Sequence, residues 1–93
     1  MEICVRFYGI AYDYTGVREW YPEFCDSVDV ECLLKILVER FPELKTLVYD
    51  NQGEIRDYFS ISINNKDIRG LDGYNTQIKD GDRIFIMPPI GGG

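Results

Sequence analysis

Histidine is absent from this sequence of 93 residues. Its absence removes the Ser–His and Cys–His nucleophile pairs used by many hydrolases, and it removes histidine-ligated metal sites as well. Few mechanisms of enzymatic catalysis remain. We therefore do not expect the chain to be an enzyme by itself.

Cysteine is scarce, and its placement does not suit a metal site. Cys4, Cys25 and Cys32 are odd in number, and their spacing fits no CxxC pattern for zinc or haem. A plant-type iron–sulfur cluster needs four cysteine ligands, so this chemistry is excluded by number. We expect no metal site and reduced, partly buried thiols; a role as persulfide relays is the less favoured alternative.

Long apolar runs and an excess of basic residues are also missing. No apolar run approaches the ~18–20 residues that cross a bilayer, and residues 1–3 do not begin a signal peptide, so we expect a cytoplasmic protein without membrane contact. The 16 acidic and 10 basic residues give a net charge of −6, which opposes direct nucleic-acid binding. The charge suits solubility and docking to a basic partner, or it only prevents aggregation.

The sequence does contain enough apolar residues to form a hydrophobic core. Hydrophobic residues make up 45% of the chain and aromatic residues 14%, which indicates a packed globule. The length fits one domain. We predict a folded domain over residues 1–87 and a flexible tail over residues 88–93.

The first half of the chain predicts two strands and one main helix. Residues 2–9 alternate as a half-buried strand, residues 13–16 form a turn, and residues 17–25 form a second extended run that Pro22 assigns to a sheet edge or bulge. After a good N-cap at Asp29, apolar residues recur with helical spacing over residues 30–41, where Pro42 ends the helix or begins a short extra turn. Leu44, Leu47 and Val48 are spaced to pack back on the core.

The second half predicts further strands joined by turns. In chain order these are a loop at residues 50–54, an alternating strand at 58–63, a turn at Asn64 and Asn65, a short strand at 66–68, an irregular stretch at 69–77, a tight turn at 79–82 and a last strand at 83–87. The order favours a two-layer α+β roll, in which one helix covers one face of a mixed, mostly antiparallel sheet of four to five strands. The last strand would lie centrally.

The chain closes with Pro88, Pro89, Ile90, Gly91, Gly92 and Gly93. The prolines fix φ and remove backbone donors, while the glycines carry no Cβ, so this end is a poor structural element. Extended at roughly 3.3–3.6 Å per residue, it would reach about 20 Å. It is suited to enter a narrow cleft of a partner and to present the Gly93 carboxylate to a reactive centre. A frayed end without function is the alternative.

Segments spread over nearly the whole chain resemble one family. They are ICVRFYG (residues 3–9), DVECLL (29–34), ERFPEL (39–44), INNKDI (63–68), IKDGDRIFIMPP (78–89) and the terminal Gly-Gly. The chain resembles the MoaD/ThiS sulfur-carrier family, most closely its MoaD branch, the small subunit of molybdopterin synthase, and this implies the ubiquitin-like β-grasp fold. It departs from the family's usual residues after the first strand, at Met87 before the prolines and at Gly91 before Gly-Gly.

The resemblance implies a function for the tail. In such proteins a ubiquitin-activating-type adenylyltransferase (MoeB-like), using ATP and Mg²⁺, adenylates the terminal glycine, here Gly93 with Gly92 beside it, and the acyl adenylate becomes a thiocarboxylate. The chain itself would bind no cofactor. The tail then enters a large subunit (MoaE-like) of molybdopterin synthase and donates sulfur to a pterin precursor in molybdenum or tungsten cofactor synthesis. A ubiquitin-like modifier joined to lysines, a carrier for tRNA thiolation or thiamine synthesis, and a passive β-grasp interaction module are alternatives.

Docking of this kind needs a surface as well as a tail. Tyr8, Phe85 and Met87 face outward from the predicted sheet and are candidates for an apolar patch, with Arg6 and Arg83 beside it. The alternative is that these are scattered surface apolar residues. The tail residues Pro88, Pro89, Ile90 and Gly91 complete the predicted partner-binding set. We assign Lys79, Asp80 and Asp82 to turn formation.

Overall fold

A computed structural model describes residues 2–24 and 27–87. The strands of these residues are β1 (Cys4–Phe7), β2 (Glu19–Trp20), β3 (Val28–Asp29), β4 (Ser60–Ile63), β5 (Lys66–Asp67), β6 (Gln77–Ile78) and β7 (Arg83–Met87). The helices are α1 (Ile10–Thr15), α2 (Val30–Arg40) and α3 (Lys45–Val48), with 3-10 turns at Pro42–Leu44, Ile68–Gly70 and Gly73–Asn75. None of the helices in this part of the chain has the length and apolar character that crossing a membrane requires.

The described residues form a five-stranded sheet in the order β2-β1-β7-β4-β5. β1 runs parallel to β7, and the other neighbouring pairs are antiparallel. The predicted mixed, mostly antiparallel sheet is therefore confirmed, and so is the central position of the last strand. Because β7 is bonded on both sides, its backbone donors and acceptors are satisfied by fixed neighbours.

One face of this sheet forms the core with α2. Val5 and Phe7 of β1 lie opposite Ile84 and Ile86 of β7 in the parallel register, and all four are at most 1% exposed. The helix contributes its buried stripe of Val30, Leu33, Leu34 and Leu37. Each such side chain stabilises the fold by roughly 1.5–3 kcal/mol when fully buried. This is the two-layer α+β packing that the periodicities predict.

The helix begins and ends where its sequence signals indicate. The Asp29 carboxylate accepts a hydrogen bond from the Cys32 backbone N–H at 2.8 Å, which confirms the predicted N-cap. The helix ends at Arg40, one residue before the predicted end, because Phe41 precedes Pro42 and leaves the helical region with φ −126° and ψ 78°. The Phe41 ring packs edge-on against Phe7 and Trp20, with centroids 5.4 and 5.5 Å away.

The chain after the helix folds back on the core, as predicted. A 3-10 turn at Pro42–Leu44 leads directly into α3. Leu44 and Val48 are buried, and Leu47 is partly buried against them. This confirms that Pro42 starts a short extra turn in addition to ending α2.

The connection between the first two strands differs from the prediction. The predicted turn at residues 13–16 is the end of helix α1, which Gly16 terminates in the left-handed conformation with φ 75°. The predicted strand over residues 17–25 narrows to β2, which pairs antiparallel with β1. Its predicted edge position is confirmed, and Cys25 lies outside the described residues. A six-residue helix with one buried residue, Ala11, is too short to show helical periodicity.

A small second sheet was not predicted. β3 pairs with β6 in antiparallel register, Val28 opposite Ile78 and Asp29 opposite Gln77; of these residues, only Gln77 lies in the stretch interpreted as irregular. Two-residue strands give no alternation to detect. The predicted Asn turn between β4 and β5 is confirmed, since Asn64 and Asn65 have φ of 50° and 74°, as the hairpin turn of mirror type requires.

The N-cap of α2 gives a direct test of this fold. We expect Asp29→Ala to lower the free energy of unfolding by about 1 kcal/mol, because it removes the acceptor of the Cys32 N–H. Thermal melting of the full chain measures the change. Asp29→Asn, which keeps an acceptor oxygen, is the matched control. Equal stability of the two variants would contradict the assigned cap.

Candidate functional site

The outer face of the sheet carries the predicted docking residues. Phe85 and Met87 alternate with the buried Ile84 and Ile86 along β7, so they point away from the core. Tyr8 follows β1 directly, and its ring lies 6.2 Å from that of Phe85, centroid to centroid, with the planes tilted by 33°. These three side chains, which we call the aromatic patch, are half-buried. The structure thus brings Tyr8 and Phe85 into contact on one surface.

Arg6 lies inside this patch, where the sequence suggested a flanking position. In the strand registers it is opposite Phe85 on one side and Glu19 on the other. The Arg6 guanidinium carbon is 5.8 Å from the centroid of the Tyr8 ring, within the range of a cation–π contact. The Arg6 Nε atom is buried and has no hydrogen-bond partner among the described residues.

Glu19 belongs to a separate cluster at the β2 edge. Its Oε2 atom accepts a hydrogen bond from the Tyr21 hydroxyl and one from the Cys4 thiol at 3.5 Å. The Tyr21 bond, followed by the Cys4 bond, lowers the pKa of the Glu19 carboxyl. In turn, Glu19 raises the pKa of Tyr21 to about 12. The pKa of the Cys4 thiol is raised mainly by burial and next by its bond to Glu19.

The opposite edge of the sheet holds a second, self-contained pair. The Arg69 guanidinium contacts the Asp67 carboxylate at 2.8 Å, and Asp67 Oδ1 also accepts from the Arg69 backbone N–H. These bonds from Arg69 lower the pKa of Asp67 to about 2. The Asp67 carboxylate at this edge is therefore already paired with the Arg69 side chain.

The turn before β7 anchors the strand. The Asp82 carboxylate accepts from the Lys79 backbone N–H at 2.8 Å and from the Asn64 side chain at 2.9 Å, and Asp80 accepts from the Glu2 backbone N–H at 2.7 Å. Gly81 adopts φ 86° at its centre, a value that glycine reaches without strain. Asp80 and Asp82 therefore serve the turn, as predicted.

The far end of β7 is where the predicted tail begins. The strand ends at Met87, which lies opposite Ser60 of β4, and the Tyr8 N–H donates to the Ile86 carbonyl at 3.0 Å on the other side. The remaining predicted site residues lie outside the described residues: Pro88, Pro89, Ile90, Gly91, Gly92 and Gly93. The structure fixes the point from which they start, beside the aromatic patch.

A cleft of about 740 Å³ lies elsewhere, between α2, α3 and the loop after α3. Two of its cations already have partners: Lys35 is 3.8 Å from Glu31, and Arg56 Nε donates to the Tyr49 carbonyl at 3.2 Å. Within the described residues, no group of three or more cysteine, aspartate and glutamate side chains could hold a metal ion.

Comparison with known proteins gives one family model, described as the ThiS family, which matches residues 5–93. Small archaeal modifier protein 3 of Haloferax volcanii is 27% identical over 93 residues, which is the full length of both chains. The solution structure of small archaeal modifier protein 1 from Methanosarcina acetivorans is 30% identical, with a TM-score of 0.83 over 99% of this chain and 96% of that chain.

A third similar protein comes from a complex. The structure of subunits 1 and 2 of the molybdopterin-converting factor from Helicobacter pylori contains a chain that is 28% identical, with a TM-score of 0.64 over the full length of both chains. These likenesses confirm the ubiquitin-like β-grasp fold that the resemblance implied.

The hydrogen bond from Cys4 to Glu19 predicts that the Cys4 thiol is alkylated slowly. In a background with Cys25→Ser and Cys32→Ser, we expect the pH midpoint of iodoacetamide alkylation to lie above the ordinary range of a cysteine. Adding Glu19→Gln lowers the midpoint, because it removes the charge that opposes the thiolate. Mass spectrometry of alkylation against pH measures both.

The matched control for this test is Glu23→Gln, which removes the charge of an exposed carboxylate; within the described residues the Cys4 thiol donates to Glu19 and not to Glu23. It should leave the midpoint close to that of the background. A midpoint that Glu19→Gln and Glu23→Gln shift equally would show that net charge, rather than the hydrogen bond, controls the thiol.

Proposed function

The chain belongs to the ThiS family of ubiquitin-like sulfur carriers and modifiers, and from that premise we propose that it is a sulfur carrier of the molybdopterin synthase small-subunit type. Gly93 would be its reacting residue. The proposal requires that Gly93 carries a free carboxylate in the cell. Its end use would be the delivery of sulfur in molybdenum or tungsten cofactor biosynthesis.

One observation carries this proposal: the rigid setting of β7. The strand is paired along its length with β1 and β4, its start is tied down by Asp80 and Asp82, and it ends at Met87 beside the aromatic patch. The six residues that follow contain two prolines and three glycines. A base held on both sides, next to an apolar surface, would limit the directions in which a tail leaves it, which lowers the entropy lost when the tail binds.

The chemistry needs little from the chain beyond a carboxylate. An α-carboxyl with a pKa of roughly 3.3–3.7 is ionised at neutral pH. Its oxygen would attack the α-phosphorus of ATP and displace pyrophosphate in a MoeB-like adenylyltransferase, which supplies the Mg²⁺ and the phosphate-binding groups. A donor at the oxidation level of hydrosulfide would then attack the acyl carbon and break its bond to AMP, which leaves the thiocarboxylate and free AMP. Gly92 and Gly93 carry no side chains that would obstruct approach to the acyl carbon.

The body of the protein would dock through the aromatic patch. Tyr8, Phe85 and Met87 present an apolar surface of the kind that protein partners cover, and the tail residues Pro88 to Gly91 would extend the contact into the partner's cleft. The proposed partner that receives the tail is a MoaE-like large subunit. The complex of subunits 1 and 2 of the Helicobacter pylori factor supports such an assembly, since one chain of that structure resembles this one.

A second function, conjugation to lysines of other proteins, has its own support. The two archaeal relatives described above are named as modifier proteins, and one of them matches this chain over its full length. The activation step is the same for both functions, and they diverge only when an acceptor attacks the activated glycine. Sulfur delivery to tRNA or to a thiamine precursor would diverge at the same step.

Removal of the last two glycines tests the proposal. We expect the chain without Gly92 and Gly93 to lose thiocarboxylation completely and to fail to restore molybdopterin synthesis in a strain that lacks its own carrier. The melting temperature should change by less than about 2 °C, because β7 and its anchoring turn remain intact.

The matched control is Gly70→Ala, which changes a glycine of the folded domain where an added Cβ would meet no atom within 4 Å, and which should retain activity. If the truncated chain restored synthesis, the proposal would be wrong. If the full-length chain instead left glycine remnants of its tail on lysines of other proteins, without restoring synthesis, conjugation would replace sulfur delivery as its function.

A further inference from the structure

We propose that the cleft between α2, α3 and the loop after α3 binds a small organic phosphate. Arg56 and Lys45 would hold the phosphate group, and the ring of Tyr49 would contact the apolar body that carries it. The cleft is formed on the helical layer, whereas the aromatic patch lies on the outer face of the sheet. The inference goes beyond the proposed function and does not depend on the activation of Gly93.

The cleft has the size of a small-molecule site. It is open to solvent and has a volume of about 740 Å³, within the range of about 300–1,000 Å³ that such sites occupy. One wall comes from α2, a second from α3 and a third from the loop at residues 49–56. A smaller cavity of about 220 Å³ adjoins it, because both are lined by Lys35, Tyr49 and Gly53.

The loop that forms the third wall is fixed by its own hydrogen bonds. The Asp50 Oδ1 atom accepts from the backbone N–H groups of Gln52 and Glu54 at 2.9 and 3.0 Å. The Asp50 backbone N–H donates to the Glu54 carbonyl at 2.8 Å, and Gly53 reaches φ 80° within this turn, a value that glycine adopts without strain. Because the wall is held in place by these bonds, ligand binding needs little further ordering of the chain.

The main chain at the end of α3 orients Arg56. Its backbone N–H donates to the Val48 carbonyl at 2.6 Å, and its side-chain Nε donates to the Tyr49 carbonyl at 3.2 Å. Arg56 is exposed, and among the described residues its two terminal Nη atoms take part in no hydrogen bond or ion pair. A guanidinium that is held through Nε keeps the other donors of its planar fork for two oxygens of one anion.

Two lysines add positive charge to the same cleft. Lys45 is exposed and has no ion pair in the part of the chain that the structure describes. Lys35 lies 3.8 Å from Glu31, but these side chains are 66% and 48% exposed, so the pair is weak and does not commit the lysine. The three cations of the lining outnumber its two carboxylates, Glu39 and Asp50. In a chain with a net charge of −6, this cleft is therefore suited to an anion.

The apolar part of the lining indicates what the anion is attached to. Val38 and Tyr49 are half-buried and line the cleft. The Tyr49 hydroxyl oxygen is buried, so the residue offers ring carbon atoms to a ligand rather than its hydroxyl. A phosphate monoester supplies three acceptor oxygens and a charge of about −1.5 to −2 at neutral pH, which matches Arg56 and the lysines better than the single charge of a carboxylate. An apolar group on that phosphate would cover Val38 and Tyr49.

The test titrates the full, isotope-labelled chain with phenyl phosphate and follows its backbone amide resonances by NMR. We expect saturable shifts at residues 46 and 49–56 with a Kd at or below about 1 mM at low salt, and a weaker affinity at higher ionic strength because salt screens the charges. Phenol lacks the phosphate and inorganic phosphate lacks the apolar body. Each of them should bind at least about 10-fold more weakly.

Substitutions identify the groups that hold the phosphate. Arg56→Gln and Lys45→Gln should each raise the Kd for phenyl phosphate by at least about 5-fold, because each removes one cation from the cleft. Lys66→Gln is the matched control, since it removes the charge of an exposed lysine on β5, away from the cleft; its Kd should equal that of the wild type. If Arg56→Gln lost its dispersed spectrum, Lys45→Gln would decide alone.

Three results would overturn the inference. The first is the absence of saturable shifts with phenyl phosphate at about ten times the expected Kd. The second is an unchanged Kd in Lys45→Gln and in every folded Arg56→Gln sample. The third is inorganic phosphate that binds as tightly as phenyl phosphate, because Val38 and Tyr49 would then contribute nothing and the assigned class of ligand would be wrong.

Discussion

The parallel pairing of β1 with β7 is the constraint on which the rest of the molecule depends. It joins residues 4–7 to residues 83–86, so the two ends of the described domain are bonded in the middle of one sheet. The edge strand β2 and the hairpin of β4 and β5 add to the two sides of this pair. Because a parallel pair needs a crossover, the helix α2 lies within the connection and is brought over one face.

The same two strands, β1 and β7, also separate the residues that form the core from the residues that form the candidate docking surface. Their alternation sends Val5, Phe7, Ile84 and Ile86 into the core, where they pack against α2. The residues between them, Arg6 and Phe85, go to the outer face. A shift of the register by one residue would exchange these sets, so the burial that stabilises the fold also fixes the composition of the candidate docking surface. Tyr8 and Met87 continue that surface to the end of β7, where the tail begins.

Elements with strong repeating patterns were predictable from the sequence. The apolar stripe and Asp29 cap located α2, the paired asparagines located the β4–β5 turn, and alternation located β1, β4 and β7. Elements that depend on single contacts were not predictable. α1 is a six-residue helix with one buried residue, Ala11, and the β3–β6 pair has two residues in each strand. Long-range packing therefore decides whether these elements form.

The candidate site was likewise predictable from the sequence only in part. Alternation assigned Tyr8, Phe85 and Met87 to one face, and the structure places Tyr8 against Phe85 there. It gave no indication that the Arg6 Nε atom would be buried without a hydrogen-bond partner among the described residues, or that Glu19 would accept hydrogen bonds from Tyr21 and Cys4. Hydrogen-bond competition between side chains on neighbouring strands leaves no periodic trace in a sequence.

The central claim is that Gly93 is activated and carries sulfur. Its most direct test is the intact mass of this protein isolated from its own cells without acid or alkylating agents. The account predicts a fraction of molecules whose mass exceeds that of the free acid by the difference between one sulfur and one oxygen atom, with the change located at Gly93 by fragmentation. A chain that is always the free acid, under conditions that require cofactor synthesis, would contradict it.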